Sequence, residues 1–97
     1  MNTPTYQNRI NIDQDLLKAL TELHVVSSQY DFSRLLGKSP AYFSCIQSKQ
    51  MAISVAGLVR LAVELRKRAV YETNTHKAVA LKELCEFLHE EICARAT

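Results

Sequence analysis

Residues that interrupt helices are scarce in this chain, since two glycines and two prolines are spread over 97 residues. Between them, leucines recur at spacings of three and four residues, which is the spacing of one face of an α-helix. No stretch alternates apolar and polar residues for long enough to indicate a β-strand. The sequence therefore predicts an all-α fold.

Length and composition allow one modest hydrophobic core, because 47% of the 97 residues are hydrophobic. The longest uncharged stretches, such as residues 51–59, are much shorter than the roughly 20 apolar residues that span a bilayer. The N-terminus lacks the apolar segment of a signal peptide. Cys45, Cys85 and Cys93 have no CxxC spacing, which fits free thiols in a reducing compartment. We expect a soluble, cytoplasmic protein without a membrane partner.

Charge is distributed unevenly, although the net charge is only +2. Between residues 25 and 71, seven basic side chains outnumber two acidic ones, whereas four acidic residues outnumber three basic ones from residue 75 onwards. A basic middle beside an acidic end indicates separate tasks for the two parts, and nucleic-acid binding is one such task. Ordinary solvated helix faces are the alternative that charge alone leaves open.

The N-terminal part of the chain predicts an arm and a first helix. Residues 1–10 are polar and aperiodic, which indicates a flexible arm. Asn11 and Gln14 resemble a capping pair at the start of the first helix, which we expect to end near Val26. Its predicted core-facing leucines are Leu16, Leu20 and Leu23.

Two short helices joined by a glycine turn are predicted next. Ser28 and Asp31 have the S-x-x-D form of a capping box at the start of the second helix. Gly37 ends that helix, because glycine readily adopts a positive φ. Ser39 predicts the N-cap of the third helix, with Pro40 at its first position, where a missing N–H has no cost. The predicted inward-facing residues are Phe32, Leu35, Leu36, Phe43 and Ile46.

Two longer helices complete the prediction. Ser54 caps the fourth helix, and a polar break at residues 72–75 precedes a fifth, amphipathic helix that runs to about Ala94. We expect residues 11–70 to form one domain and residues 71–97 to form an appended C-terminal helix. The predicted buried stripe of the fourth helix contains Val55, Leu58, Leu61, Ala62 and Leu65.

The segment from Ser28 to Ser44 carries a more specific pattern, SQYDFSRLLGKSPAYFS. It resembles the helix-turn-helix of the lambda-repressor-like, Xre/Cro-type family, whose pattern is S-Q, two polar residues, L-A, three residues, G, any residue, S, three residues and I-S. The resemblance extends over about residues 12–68 and implies a five-helix lambda-repressor-like domain with a C-terminal amphipathic helix. Four residues depart from the pattern: Phe32-Ser33 replaces Leu-Ala, Gln47 stands where Glu is common, and Lys49 replaces a loop glycine.

The resemblance also implies double-stranded DNA as the partner. Ser28 and Gln29 would lie near the phosphate backbone, while Ala41, Tyr42 and Cys45 would face base edges. The Tyr42 ring could contact a thymine methyl group, but no Arg, Asn or Gln is present at these positions for bidentate base readout. We therefore expect these side chains to discriminate only weakly between DNA sequences. The remaining implied contacts, to phosphates, are Lys38, Ser39, Ser44, Ser48, Lys49 and Gln50.

The C-terminal helix carries a narrow apolar stripe and must pack on its own domain or on a partner, because an isolated helix of about 20 residues is marginal in water. Members of the family bind paired half-sites, which implies a homodimer with recognition helices roughly 34 Å apart. The alternative is a helix that only completes its own core. The predicted dimerisation residues are Leu81, Leu84, Cys85, Leu88 and Ile92.

Catalysis and cofactor binding find little support in the sequence. Cys85, His89 and Cys93 recur every four residues, but tetrahedral metal sites usually take ligands from a turn or from separate segments. No nucleophile–base–acid set, glycine-rich phosphate loop or HExxH motif is present. We therefore expect no metal, no cofactor and no enzymatic activity.

Together these features predict a sequence-specific transcriptional regulator, a homodimeric repressor of a phage, plasmid or other mobile-element promoter. The rival hypothesis is a protein-interaction module, an antirepressor or inhibitory adaptor, that keeps the helix-turn-helix shape without binding DNA. The plain recognition helix and the low net charge favour the rival, whereas the basic middle and the family pattern oppose it. A fold by itself does not decide between the two.

Overall fold

A computed structural model describes residues 5–96 of the protein, and this part of the chain contains α-helices and no β-strand. The all-α prediction is confirmed. None of the helices in this range is both long and apolar enough to cross a membrane. The helices are α1 (Thr5–Glu22), α2 (Gln29–Leu35), α3 (Tyr42–Ser48), α4 (Val55–Tyr71) and α5 (Thr75–Ala96).

The helices group into two compact units. Unit 1 extends to Ile53 and contains α1, α2 and α3, whereas unit 2 begins at Ser54 and contains α4 and α5. The contacts thus group α4 with α5, whereas the sequence predicts one domain for residues 11–70, which would include α4 with the first three helices.

The first helix is longer at its start than predicted. It begins at Thr5, so residues 5–10 of the predicted arm are helical, and residues 1–4 lie outside the described part of the chain. Asn11 and Gln14 lie inside α1, and the predicted capping pair is therefore wrong. Leu16 and Leu20 are buried, as predicted, while Leu23 is half-buried and follows the end of the helix.

All three helices of unit 1 end in the same backbone turn. After α1, the N–H groups of His24 and Val25 donate to the carbonyls of Thr21 and Leu20, respectively. The same pair of bonds follows α2 and α3, which makes each end a Schellman motif with a left-handed residue at its centre. The central residues are His24, Gly37 and Gln50, with φ angles of 61°, 77° and 56°.

The core of unit 1 is centred on a pair of phenylalanines. The rings of Phe32 and Phe43 are both buried and meet edge to face, with centroids 5.0 Å apart and planes at 81°. Asp13 on α1 is also buried, and its carboxylate accepts a hydrogen bond of 2.7 Å from the N–H of Ile53. This bond fixes the segment that follows α3 against α1.

Unit 2 is a hairpin of two helices that pack against each other. The Ser54 hydroxyl caps α4 by accepting from the N–H of Gly57 at 3.1 Å, as predicted, and the Asn74 side chain accepts from the N–H of Lys77 at 3.0 Å at the start of α5. Val55 and Ala62, placed in the stripe of α4 by the sequence, are half-buried. The fully buried leucines are Leu58, Leu61, Leu65, Leu81 and Leu88.

Candidate nucleic-acid interface

The start of α3 is capped by a residue of α2. Ser39 does not cap the helix, because α3 begins only after Ala41. Ser39 lies in the turn before the helix, where its carbonyl accepts from the N–H of Tyr42 at 3.0 Å. Ala41 makes no side-chain capping bond. The buried hydroxyl of Ser33 instead accepts from the N–H of Phe43 at 3.0 Å. The predicted cap at Ser39, with Pro40 as the first helical residue, is therefore wrong.

The hydrogen bond from Phe43 gives a physical role to the two residues that depart from the Leu-Ala pattern. Ser33 supplies an acceptor for a helix N–H that would otherwise be buried without a partner. Phe32 supplies the ring that packs on Phe43. These two contacts fix α3 against α2. The sequence offered one signal for this cap, namely a serine at an inward-facing position of α2.

The opposite side of α3 is exposed and made of small side chains. Phe43 and Ile46 face inward, whereas the residues between them, Ser44 and Cys45, are exposed. Tyr42 is half-buried at the start of the helix. The structure thus brings most of the predicted base and phosphate contacts of α3 to one exposed side. Its exposed members are Ala41, Ser44, Cys45, Ser48, Lys49 and Gln50.

Both serine hydroxyls on this side already have partners. Ser44 donates to the carbonyl of Ala41 at 3.1 Å, and Ser48 donates to the carbonyl of Cys45 at 3.0 Å. A hydroxyl in this arrangement presents its acceptor lone pairs outward. Either serine would therefore have to rotate before donating to a phosphate.

Cations lie at both ends of α3. The Nζ of Lys38 lies 5.4 Å from the centroid of the Tyr42 ring, within the range of a cation–π interaction. Lys49 is exposed directly after the last residue of the helix. Ser39, in the turn between Lys38 and α3, is exposed as well. The small side chains of α3 are therefore bracketed by two positive charges.

The start of α2 is less suited to a phosphate than the sequence suggested. Ser28 and Gln29 are exposed, but the Ser28 hydroxyl accepts from the N–H of Asp31 at 3.2 Å and so caps the helix. The Asp31 carboxylate accepts from both the hydroxyl and the N–H of Ser27. These bonds, helped by the nearby Arg34, lower the pKa of Asp31 against a smaller opposing effect of burial. A phosphate at Ser28 would meet this negative charge.

Part of the basic character of the middle segment is neutralised within α4. Arg60 and Lys67 lie 3.4 and 3.6 Å from the carboxylate of Glu64. The segment of α2 and α3 carries three cations and one carboxylate, Asp31. Arg34 and Lys49 are exposed, and Lys38 is half-buried. Any electrostatic attraction of this surface for a polyanion therefore depends on few charges.

The predicted dimerisation stripe divides into buried and accessible residues. Leu81 and Leu88 are fully buried within the chain and are not available to a second copy. Leu84, Cys85 and Ile92 are half-buried. Within the described residues, no three His, Cys, Asp or Glu side chains form a group that could hold a metal ion.

A family model, DUF6626, described as a family of unknown function, matches residues 14–97. The matched segment contains α2, α3, α4 and α5 and the second half of α1. No curated protein and no solved structure matches the chain significantly.

Proposed function

Because the chain belongs to the DUF6626 family, a family of unknown function, its role has to be argued from its own geometry, and we propose that it is a DNA-binding transcriptional regulator. In this proposal α2 and α3 act as a lambda-repressor-like helix-turn-helix on double-stranded DNA. The protein acts as a homodimeric repressor of a phage, plasmid or other mobile-element promoter, as the resemblance to the Xre/Cro-type family implies.

One observation carries the proposal. A helix of seven residues, α3, is fixed from behind by the hydrogen bond of Phe43 to Ser33 and by its ring contact with Phe32. The exposed side of the helix consists mainly of small side chains and is flanked by Lys38 and Lys49. A helix that enters the major groove needs these properties, because small outward side chains allow close approach and flanking cations contact phosphates. A rigid support holds the helix in register with the bases.

The same side chains set the expected mode of recognition. Ala41, Tyr42 and Cys45 would lie against base edges, where they make apolar contacts and few hydrogen bonds. Lys38, held against the Tyr42 ring, and Lys49 would contact the phosphates on either side. Such an interface binds DNA with modest affinity per subunit and gains its specificity from two linked half-sites.

A protein-interaction module remains the second candidate, on the strength of two exposed side chains. Tyr30 on α2 and Met51 after α3 are 60% and 46% exposed, respectively. Aromatic and methionine side chains are enriched at protein interfaces. In this alternative, the surface of α2 and α3 binds another protein, as an antirepressor or inhibitory adaptor would.

Fluorescence anisotropy with a labelled random duplex of about 20 base pairs distinguishes the two candidates. The DNA proposal expects micromolar binding at low salt that weakens steeply as salt rises, because phosphate contacts release counterions. Lys49→Ala should weaken binding about fivefold and lower the salt slope by about one per subunit. Tyr42→Ala should also weaken binding.

Lys18→Ala is the matched control, since Lys18 is an exposed lysine on α1. It should leave the affinity almost unchanged. An absence of binding at low salt, or an equal loss in the Lys18 and Lys49 variants, would contradict DNA binding through α3. A pull-down that depends on Tyr30 and Met51 would then support the interaction module.

A further inference from the structure

The hairpin of unit 2 carries an open groove that the proposed DNA contacts do not use. The groove has a volume of about 850 Å³ and is lined by residues of both α4 and α5. The half-buried Cys85 lies in it, with its Sγ 3.9 Å from the carbonyl of Ala62. Its apolar lining residues are Ala62, Val63, Ala69, Val70, Cys85 and Ile92.

A row of exposed valines follows the groove along α4. Val63 and Val70 are 45% and 72% exposed, and Val59, one turn before Val63, is 44% exposed. The spacing of four and seven residues places the three on one side of the helix. Single exposed apolar residues are ordinary, but three exposed valines on one side of a helix beside an apolar groove indicate an association surface.

Charge divides the groove into two ends. Because the hairpin is antiparallel and Cys85 contacts Ala62, residues after Ala62 lie opposite residues before Cys85. Arg66 and Lys82 therefore share one end, and Glu86 and Glu90 lie towards the other. Within the described part of the chain, none of these four side chains has an ion-pair partner.

We propose that the groove is the contact surface between two copies of this chain. The two hairpins stack face to face about a two-fold axis perpendicular to the helices, so that α4 lies antiparallel to the partner's α4 and α5 to the partner's α5. This arrangement is an antiparallel four-helix bundle with an isologous interface. The basic end of each groove meets the acidic end of the other, and the two valine rows cover each other.

Charge complementarity favours a second copy over an unrelated partner, because a groove with one basic and one acidic end is complementary to itself when reversed. A face two helices wide and about three turns long buries on the order of 1,000 Å² in total, which is at the lower limit for specific interfaces. We therefore expect a reversible dimer rather than a permanent one. This inference rests on the homodimer of the proposed function and assigns its interface, but it does not depend on DNA binding.

Sedimentation equilibrium of the full chain without DNA tests the interface. The wild type should show a reversible monomer–dimer equilibrium, and Val63→Asp should weaken it at least tenfold. Phe87→Asp is the matched control, because Phe87 is 39% exposed on α5 but does not line the groove. Circular dichroism verifies that each variant is folded. A wild type that is monomeric at several hundred micromolar, or an equal loss in the Phe87 variant, would overturn the inference.

Charge reversal tests the antiparallel arrangement. Lys82→Glu and Glu90→Lys should each weaken the homodimer about tenfold, because each brings like charges together. An equimolar mixture of the two variants should restore association, since the carboxylate introduced in one copy then meets the ammonium group introduced in the other. Unchanged homodimers of the single variants, or a mixture that fails to associate, would overturn the proposal. Anisotropy with DNA decides the proposed function independently of these outcomes.

Discussion

The two units of this protein both bury apolar side chains, but unit 1 adds buried hydrogen bonds from side chains to the backbone. In unit 1, the seven-residue helices α2 and α3 are too short to be stable by themselves. They are fixed by buried apolar side chains such as Phe32 and Phe43, by buried hydrogen bonds to the side chains of Ser33 and Asp13, and by three turns of the same type. In unit 2, helices of 17 and 22 residues pack through buried leucines.

This contrast indicates that unit 1 fixes the position of a backbone segment, whereas unit 2 provides an extended surface. A buried hydrogen bond specifies one geometry, because losing it leaves a polar group without a partner. Leucine packing tolerates changes on the outer side of the helices. Unit 1 is thus suited to present a short helix accurately, and unit 2 to carry an extended association surface.

The largest effect is expected in the leucine packing of unit 2. Leu61→Ala removes a fully buried side chain of α4 and should lower the free energy of unfolding by about 2–5 kcal/mol. Urea unfolding followed by circular dichroism measures this loss. The control Val59→Ala, at a position 44% exposed, should cost well under half as much. Equal losses would contradict packing as the main stabilising interaction of unit 2.

A smaller loss is expected at the polar contact between α2 and α3. Ser33→Ala leaves the N–H of Phe43 buried without an acceptor, which should cost about 1–2 kcal/mol in urea unfolding. Ser44→Ala removes an exposed hydroxyl and serves as the control, with a change near zero. A neutral Ser33→Ala variant would show that α3 does not need this cap.

Replacing a left-handed residue at a helix end of unit 1 by glycine should increase stability. Gln50 has a φ of 56°, a region where glycine avoids the crowding of Cβ against the backbone. Gln50→Gly should therefore raise the free energy of unfolding by about 0.5–1 kcal/mol. Gln47→Gly, within α3, should instead destabilise by about 1 kcal/mol. Thermal unfolding measures both changes. Midpoints that shift in the same direction in the two variants would refute the left-handed conformation of Gln50.

The smallest effect concerns acid stability. Hydrogen bonds from Ser27 hold the pKa of Asp31 below its ordinary value of 3.8. A lowered pKa in the folded state stabilises the protein above the unfolded value, and this contribution is lost as pH falls through the folded pKa. Asp31→Asn should thus be slightly less stable than wild type at neutral pH, and the difference should shrink as the pH falls through the folded pKa of Asp31. Urea unfolding of both proteins over a range of pH measures this, and a difference that does not change with pH would contradict the role of the Ser27 bonds.

Local patterns predicted the elements that local interactions determine. The Ser28 cap, the turn at Gly37 and the Ser54 cap each depend on residues within four positions along the chain, and all three are confirmed. The buried leucines of α4 follow equally from helical spacing. Sequence reasoning was sufficient wherever one helix carries its own signals.

The predictions that failed depend on contacts between distant residues or on unusual local choices. Nothing near Phe43 in sequence reveals that Ser33, ten residues earlier, caps α3. His24 and Gln50 end helices without the glycine that marks such turns. The apolar stripe of α5 predicts Leu81 and Leu88 as dimerisation residues, but the hairpin buries them within the chain. The candidate DNA surface of α3 could be outlined from sequence, whereas its support could not.

The bond between Asp13 and Ile53 joins residues 40 positions apart, and this separation matters during synthesis. The ribosome delivers the acidic side chain long before the N–H that donates to it. Until Ile53 has left the exit tunnel, the Asp13 side chain lacks this donor, and its burial is less favourable than in the complete unit. We therefore expect the contact between α1 and the segment after α3 to form late on the nascent chain, once residue 53 has emerged.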